Sequence, residues 1–194
     1  MKINTLKKPL SIMLLTAVLG AGALSCQDTK PKSPAGSEQT TAEIPEMDLQ
    51  AAVIYGNLEA VKQHIEAGSN LNAKDPMSGS TPLISAATFD KTEIAIALID
   101  AGVDLTIKNN DGATPLHVAA FFCRVEIVQK LMDAGADKTV RNNFGATPRE
   151  TVMGSFSDVK PIYEFMQVQL GPLGMELDLE DVEKTRPVIA MMLQ

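Results

Sequence analysis

Gly79-Ser80-Thr81-Pro82-Leu83, Gly112-Ala113-Thr114-Pro115-Leu116 and Gly145-Ala146-Thr147-Pro148-Arg149 start 33 residues apart, and this spacing decides the fold. A second series keeps the step in Ala101-Gly102-Val103-Asp104 and Ala134-Gly135-Ala136-Asp137. Ala67-Gly68-Ser69-Asn70 precedes them by 34, so one extra residue belongs between Gly68 and Thr81, most simply within Lys74-Asp75-Pro76-Met77-Ser78. Self-similarity at such a period marks a stack of supersecondary units. Thr81, Thr114 and Thr147 suit a helix N-cap, and a following Pro sits where its missing N–H and fixed φ do no harm. Each Thr-Pro pair is expected to start a helix. Ala86-Ala87 and Ala119-Ala120 are small enough for neighbouring helices to approach closely. Glu93 to Ile99 and Val125 to Met132 read as second helices, with Gly68, Gly102 and Gly135 as left-handed terminators. Asn72, Asn109, Asn110 and Asn142 suit hairpin turns.

These residues resemble the ankyrin repeat, and Asp111-Gly112-Ala113-Thr114-Pro115-Leu116-His117-Val118-Ala119-Ala120 is similar to that family's best-known signature. The resemblance covers about residues 48 to 153. It implies an all-α fold, an ankyrin-repeat solenoid of helix-turn-helix-hairpin units, because a single unit cannot bury both its faces and gains stability by stacking. The ends read as caps. Leu49 to Leu71 forms a first helix pair around Tyr55-Gly56-Asn57, and the last repeat departs at Arg149, where the others have Leu. Beyond Gly154 a helix is expected from Pro161 to Leu170, a turn at Gly171-Pro172-Leu173-Gly174, and a last helical segment from Leu179 interrupted at Pro187. This tail is either a helical cap on the last repeat or a detachable partner-binding segment. The domain plan is 1–25 signal peptide, 26–46 disordered tether, 47–156 about three repeats plus a partial fourth, and 157–194 helical C-terminal extension.

Lys2, Lys7 and Lys8 precede an apolar run from Leu10 to Leu19 and small residues at Gly20 to Ala23, the layout of an export signal. The run is shorter than the ~20 apolar residues that span a bilayer. Ala23-Leu24-Ser25-Cys26 resembles the lipobox of bacterial lipoproteins, which implies that Cys26 carries the acyl anchor. The alternative is ordinary cleavage after Ala21-Gly22-Ala23, leaving a soluble periplasmic protein. Gln27 after the Cys, by analogy with enteric lipoproteins, implies an outer-membrane anchor facing the periplasm. Gln27 to Glu46, rich in Pro, Ser, Thr and Gln, cannot repay its ordering entropy and reads as a leash reaching ~65 to 70 Å when extended.

Of 194 residues, 45% are hydrophobic and 21% charged, compatible with a packed core. The net charge is −7, and the first 25 residues contribute three lysines and no acid, so the remainder stands at −10. Such a surface repels phosphate backbones, which excludes nucleic acid as a partner. Cys26 and Cys123 lie far apart without His or Cys at ligand spacing, so neither a disulfide framework nor a metal site is expected.

Candidate chemistry is sparse. The ankyrin resemblance implies that His117 is a structural His bonded to the helix-capping turn. His64 falls inside a helix with no Ser, Cys or acidic partner at a spacing that marks catalysis and reads as surface or packing. Cys123 and Asp90 occupy interhelix-turn positions where a left-handed Gly is usual. No catalytic constellation, cofactor or metal is expected, and the chain reads as a non-enzyme. Projected on the ankyrin unit, Tyr55, Met77, Phe89, Phe121, Phe122 and Phe144 fall on the concave face, the family's usual binding surface. Aromatic anchors favour interfaces, so these six are the candidate partner-binding residues, with packing between repeats as the alternative for each ring. The expected function is a monomeric protein-interaction module tethered in the bacterial cell envelope, touching membrane only through its lipid. The second reading is an envelope stress or redox accessory factor that protects or assists an exported enzyme through a reactive Cys123.

Overall fold

The computed structural model describes residues 45–194; the signal, Cys26 and nearly all of the tether lie outside them. Among the described residues the chain is helical without a strand. The helices are α1 (Leu49–Ile54), α2 (Leu58–Glu66), α3 (Pro82–Thr88), α4 (Thr92–Asp100), α5 (Pro115–Phe121), α6 (Val125–Asp133), α7 (Phe156–Leu170) and α8 (Leu179–Met192), with 3-10 turns at Glu150–Val152 and Gly171–Leu173.

Thr81 and Thr114 hold extended backbone, and the proline after each begins a seven-residue helix. Thr81 Oγ1 accepts the Ile84 N–H at 3.3 Å, satisfying one of the donors a helix start leaves over. Thr147 accepts from Glu150 N–H at 3.3 Å while Glu150 returns a carboxylate oxygen to Thr147 N–H at 2.8 Å, a reciprocal capping box. That third Thr-Pro step opens a 3-10 turn and no α-helix, which corrects the expectation for it. The fourth unit never builds its own helix pair.

Pairs α1/α2, α3/α4 and α5/α6 stack so that α1, α3 and α5 form one row and α2, α4 and α6 a second. The 3-10 turn after Thr147 continues the first row against α5, and α8 continues the second against α6. An ankyrin-repeat solenoid results, closed by helices from outside the repeat register. Ala86, Ala87, Ala119 and Ala120 are fully buried, so the rows approach closely where the sequence is smallest. Leu83, Leu98, Leu116, Ile127 and Leu131 fill the space between them.

The hairpin turns form a ladder along the stack. Asn110 N–H donates to Ser78 carbonyl at 3.0 Å and Asn143 N–H to Asp111 carbonyl at 2.9 Å. Asn110 Nδ2 donates to Met77 carbonyl at 2.7 Å and Asn143 Nδ2 to Asn110 carbonyl at 3.0 Å. Lys74 and Lys108 repeat the theme, each ammonium donating to a carbonyl of the next repeat, Lys108 and Arg141, at 2.7 and 3.0 Å. The later turns close between Asn109 and Gly112 and between Asn142 and Gly145, whereas the first closes between Asp75 and Gly79. The one-residue excess deduced from the spacing sits in that turn.

Helix α7 begins at Phe156, five residues before the expected start, and α8 runs through Pro187 without interruption. Both prolines are exposed, as are Ser157 and Glu183, the residues whose carbonyls lose an N–H partner. Burial of Tyr163, Val182 and Ile189 outweighs the propensity cost.

Candidate functional site

Each interhelix turn demands a left-handed residue, and Gly56, Asp90 and Cys123 supply it at φ +73°, +54° and +57°. Asp90 gains a partner for its poor fit. Arg124 crosses to the previous repeat, donating to Asp90 Oδ2 at 3.0 Å and to Ala87 carbonyl at 3.4 Å. Cys123 gains burial. Its thiol lies 3.7 Å from the Val182 carbonyl of α8, and desolvation pushes its pKa up to about 11 despite the opposing pull of Arg186 and Arg124. A thiol so placed is almost wholly protonated at neutral pH and shielded from reagents, so the reactive-cysteine expectation is corrected.

His64 is buried, with Nδ1 at 2.9 Å from Ser69 Oγ and Nε2 at 2.8 Å from Met47 carbonyl. It ties the chain entering α1 to the end of α2. His117 Nε2 donates to Ala146 carbonyl at 3.1 Å, which fixes the neutral tautomer and leaves Nδ1 to accept from Thr114 N–H at 3.2 Å and from Thr114 Oγ1 at 2.8 Å. The ring joins the start of α5 to the hairpin of the next repeat.

Burial lowers the His117 pKa, with nearby Lys108 adding in the same direction. The unfolded chain takes up a proton at this His near pH 6.5 while the folded chain resists it, so stability falls as pH drops below that value. Melting temperature is therefore expected to decline between pH 7.5 and 5.5. In His117→Gln, less stable at pH 7.5, the decline should be shallower; an unchanged slope would remove this His as its source.

The six candidate contact residues separate into two groups. Tyr55, Met77 and Phe144 are 73, 88 and 79% exposed. Met77 and Phe144 occupy neighbouring columns of the hairpin ladder, near its two ends, with Asn110, Asp111 and Asn143 between them. Phe89 and Phe122 stand at the turn position equivalent to Tyr55 but are only 7 and 3% exposed. They are core residues, and the expectation that they present their rings to a partner is corrected. Phe121 is half-buried, its ring stacked on Tyr163 of α7 with centroids 4.5 Å apart.

Tyr163 and Arg186 are the buried polar pair that sequence reading did not find. Tyr163 is fully buried; its hydroxyl donates to Phe121 carbonyl at 2.6 Å and accepts from Arg186 Nη1 at 3.1 Å. Desolvation pushes its pKa up to about 12, opposed by Arg186. Arg149, already conspicuous in the sequence, donates from Nε to Ala190 carbonyl of α8 at 3.0 Å. It anchors the helix that replaces the missing unit. Among the described residues, no three His, Cys, Asp or Glu side chains gather as a metal site, and no helix is long and apolar enough to cross a membrane.

Residues 49–142 match the family model for ankyrin repeats, in three copies. An ankyrin repeat-containing protein of Schizosaccharomyces pombe is 41% identical over 64 residues, which are 32% of this chain and 29% of that protein. The crystal structure of the ankyrin repeat domain of Bcl-3, described as a unique member of the IkappaB protein family, is similar with a TM-score of 0.51 and 28% identity. That likeness covers 53% of this chain and 45% of the other. The chain thus spans less than half the length of either relative. Over residues 49–142 it has the ankyrin-repeat fold, one that generally mediates protein–protein interaction.

Proposed function

We propose that the protein is a non-enzymatic interaction module, tethered in the bacterial cell envelope, that binds a protein partner through its hairpin ridge, with Tyr55 at the turn after α1 as an additional anchor. The observation that carries this reading is the exposure of Met77 and Phe144, at 88 and 79%, on the hairpin ladder, with Tyr55, 73% exposed, at the turn after α1 as a further anchor. Large apolar side chains carried on an already ordered backbone avoid the cost of ordering a loop on binding, and a few such anchors supply most of an interface's energy. Partner type follows from the ankyrin repeats and from the acidic surface, which disfavours nucleic acid.

The envelope location rests on the basic and apolar start, on the lipobox-like Ala23-Leu24-Ser25-Cys26 and on the polar leash after it. An anchor at Cys26 on an outer membrane would leave the repeats free in the periplasm. The domain plan of signal, tether, repeats and helical extension belongs to the same proposal. Mass spectrometry of the mature N-terminus tests the location: a diacylated or triacylated Cys26 supports it, and an unmodified start at Leu24 removes it. A redox role has no support in the surroundings of Cys123, which is buried with a raised pKa.

The triple variant Tyr55→Ala, Met77→Ala, Phe144→Ala separates contact from packing. Because the three side chains are exposed, the melting temperature is expected to hold, each change costing within about 0.5 kcal/mol. Binding should fall by about tenfold or more, as for loss of a single anchor residue. Unchanged binding, measured by calorimetry with the partner recovered from the native envelope, would place the interface elsewhere.

A further inference from the structure

Arg149 and Arg186 line one cavity of about 430 Å³, formed where the 3-10 turn, the start of α7 and the end of α8 meet. Met153, Phe156 and Met191 supply its apolar walls; Glu183 is the one acidic side chain that lines it, and the main-chain oxygen of Gln194, which also lines it, is taken by the Lys138 ammonium, not by either arginine. The cavity is an open groove, with Met153 and Met191 53 and 61% exposed, and its volume reaches the range of small-molecule sites, about 300 to 1,000 Å³.

The two guanidinium groups are held by neutral acceptors. Arg186, only 3% exposed, donates from Nη1 to Tyr163 Oη at 3.1 Å and to Thr151 carbonyl at 3.5 Å, and from Nη2 to Gly154 carbonyl at 3.1 Å. Arg149 spends Nε on Ala190 carbonyl at 3.0 Å. Among the described residues neither forms an ion pair, Glu183 included. A buried cation is costly unless an opposite charge accompanies it. Yet this chain has 24 acidic against 17 basic side chains, ample supply for two partners. An arginine carries five N–H donors, so both keep open donors beside the cavity. A second guanidinium at the same cavity raises the demand for an anion.

We propose that this cavity binds a carboxylate carried on a short apolar chain, the carboxylate on Arg149 and Arg186 and the chain against Met153, Phe156 and Met191. Guanidinium and carboxylate match as paired forks, and methionine side chains adapt to an apolar stem without a fixed shape. A medium-chain fatty acid and a short peptide with an apolar last residue share this chemistry. The site is separate from the hairpin ridge and does not depend on the function proposed for it.

The test titrates the full chain, carrying 13C-methyl methionine, with octanoate and with N-acetyl-Ala-Leu, each beside its neutral amide. Saturable shifts of the Met153 and Met191 methyls are expected with at least one acid, and the acid that saturates first identifies the source. The amide should bind about tenfold or more weakly, the worth of a charge-assisted hydrogen bond. Arg149→Met should weaken the acid to the same degree, while the acid-to-amide ratio on the unaltered chain needs no variant to fold. Equal binding of acid and amide, undiminished binding to a folded Arg149→Met, or no methyl shift with either acid up to roughly 10 mM, weaker than about 3 kcal/mol of binding, overturns the proposal.

Discussion

Gly112→Ala is expected to destabilise the protein by about 3 kcal/mol or more, where Gly145→Ala costs only about 1 kcal/mol. Both glycines have left-handed backbone, φ +70° and +78°, in equivalent hairpin turns. That strain, about 1 to 2 kcal/mol for a residue with a Cβ, is common to both. What separates them is the next layer. A Cβ on Gly112 would collide with the Asn143 side chain and lie 2.8 Å from the Asn143 backbone nitrogen. Backbone cannot swing aside as a flexible side chain can, and moving Asn143 would break its bonds to Asp111 and Asn110. Gly145 has open space at the same point. With about 2 to 4 °C per kcal/mol for a domain of this size, the melting temperatures of the variants should differ by several degrees. Equal losses would mean that the ladder yields and that the turns are not rigidly stacked.

The second large effect is expected at the other end of the stack. Tyr163→Ala removes a fully buried ring, stacked on Phe121 and bonded to both Phe121 carbonyl and Arg186. Comparable truncations of buried aromatics cost about 3 to 5 kcal/mol. In a linear stack, stability is a sum of local terms, so the loss should fall on α7 and α8 while α1 to α6 stay folded. Cys123 reports it, because its sulfur lies against Val182 of α8. Alkylation of Cys123, followed by peptide mapping, should accelerate sharply as amide protection disappears from α8. Tyr163→Phe keeps the ring and should cost about 1 to 3 kcal/mol, for the unpaired acceptor and donor left behind. If Cys123 stays unreactive and α8 protected in Tyr163→Ala, the extension is held by something other than this contact.

Residues 79 to 149 were readable because each repeated element has a local cause. Thr-Pro starts a helix, paired alanines admit a neighbouring helix, and Gly ends or turns the chain; the 33-residue step then carries the stack. Even the longer first turn followed from counting. The third Thr-Pro step was misread because its helix depended on apolar residues further along, and Arg149 onward does not supply the repeat's second pair.

Prolines 161 and 187 misled for a related reason. Local propensity breaks a helix there, but whether the freed carbonyl meets water depends on which face is buried, and that is a tertiary fact. Phe89 and Phe122 share their register position with exposed Tyr55. Register fixes the backbone site, whereas packing of the neighbouring layer decides whether a ring there is covered. Tyr163 and Arg186 lie in separate helices outside the period, so no spacing announced their meeting. Arg149 alone gave a signal, as a charge where the pattern wanted Leu, and its bond to α8 accounts for it.

The most direct test of the hairpin ridge as the binding surface is site-specific photocrosslinking in living cells. A photoreactive residue would replace Met77 or Phe144 on the ridge, or Glu93 or Gln129, which are exposed on the second helices α4 and α6. A single common protein adduct at Met77 and Phe144, lost on adding Tyr55→Ala and absent at Glu93 and Gln129, is the predicted result. Adducts only from Glu93 and Gln129, with none from the ridge, would contradict it.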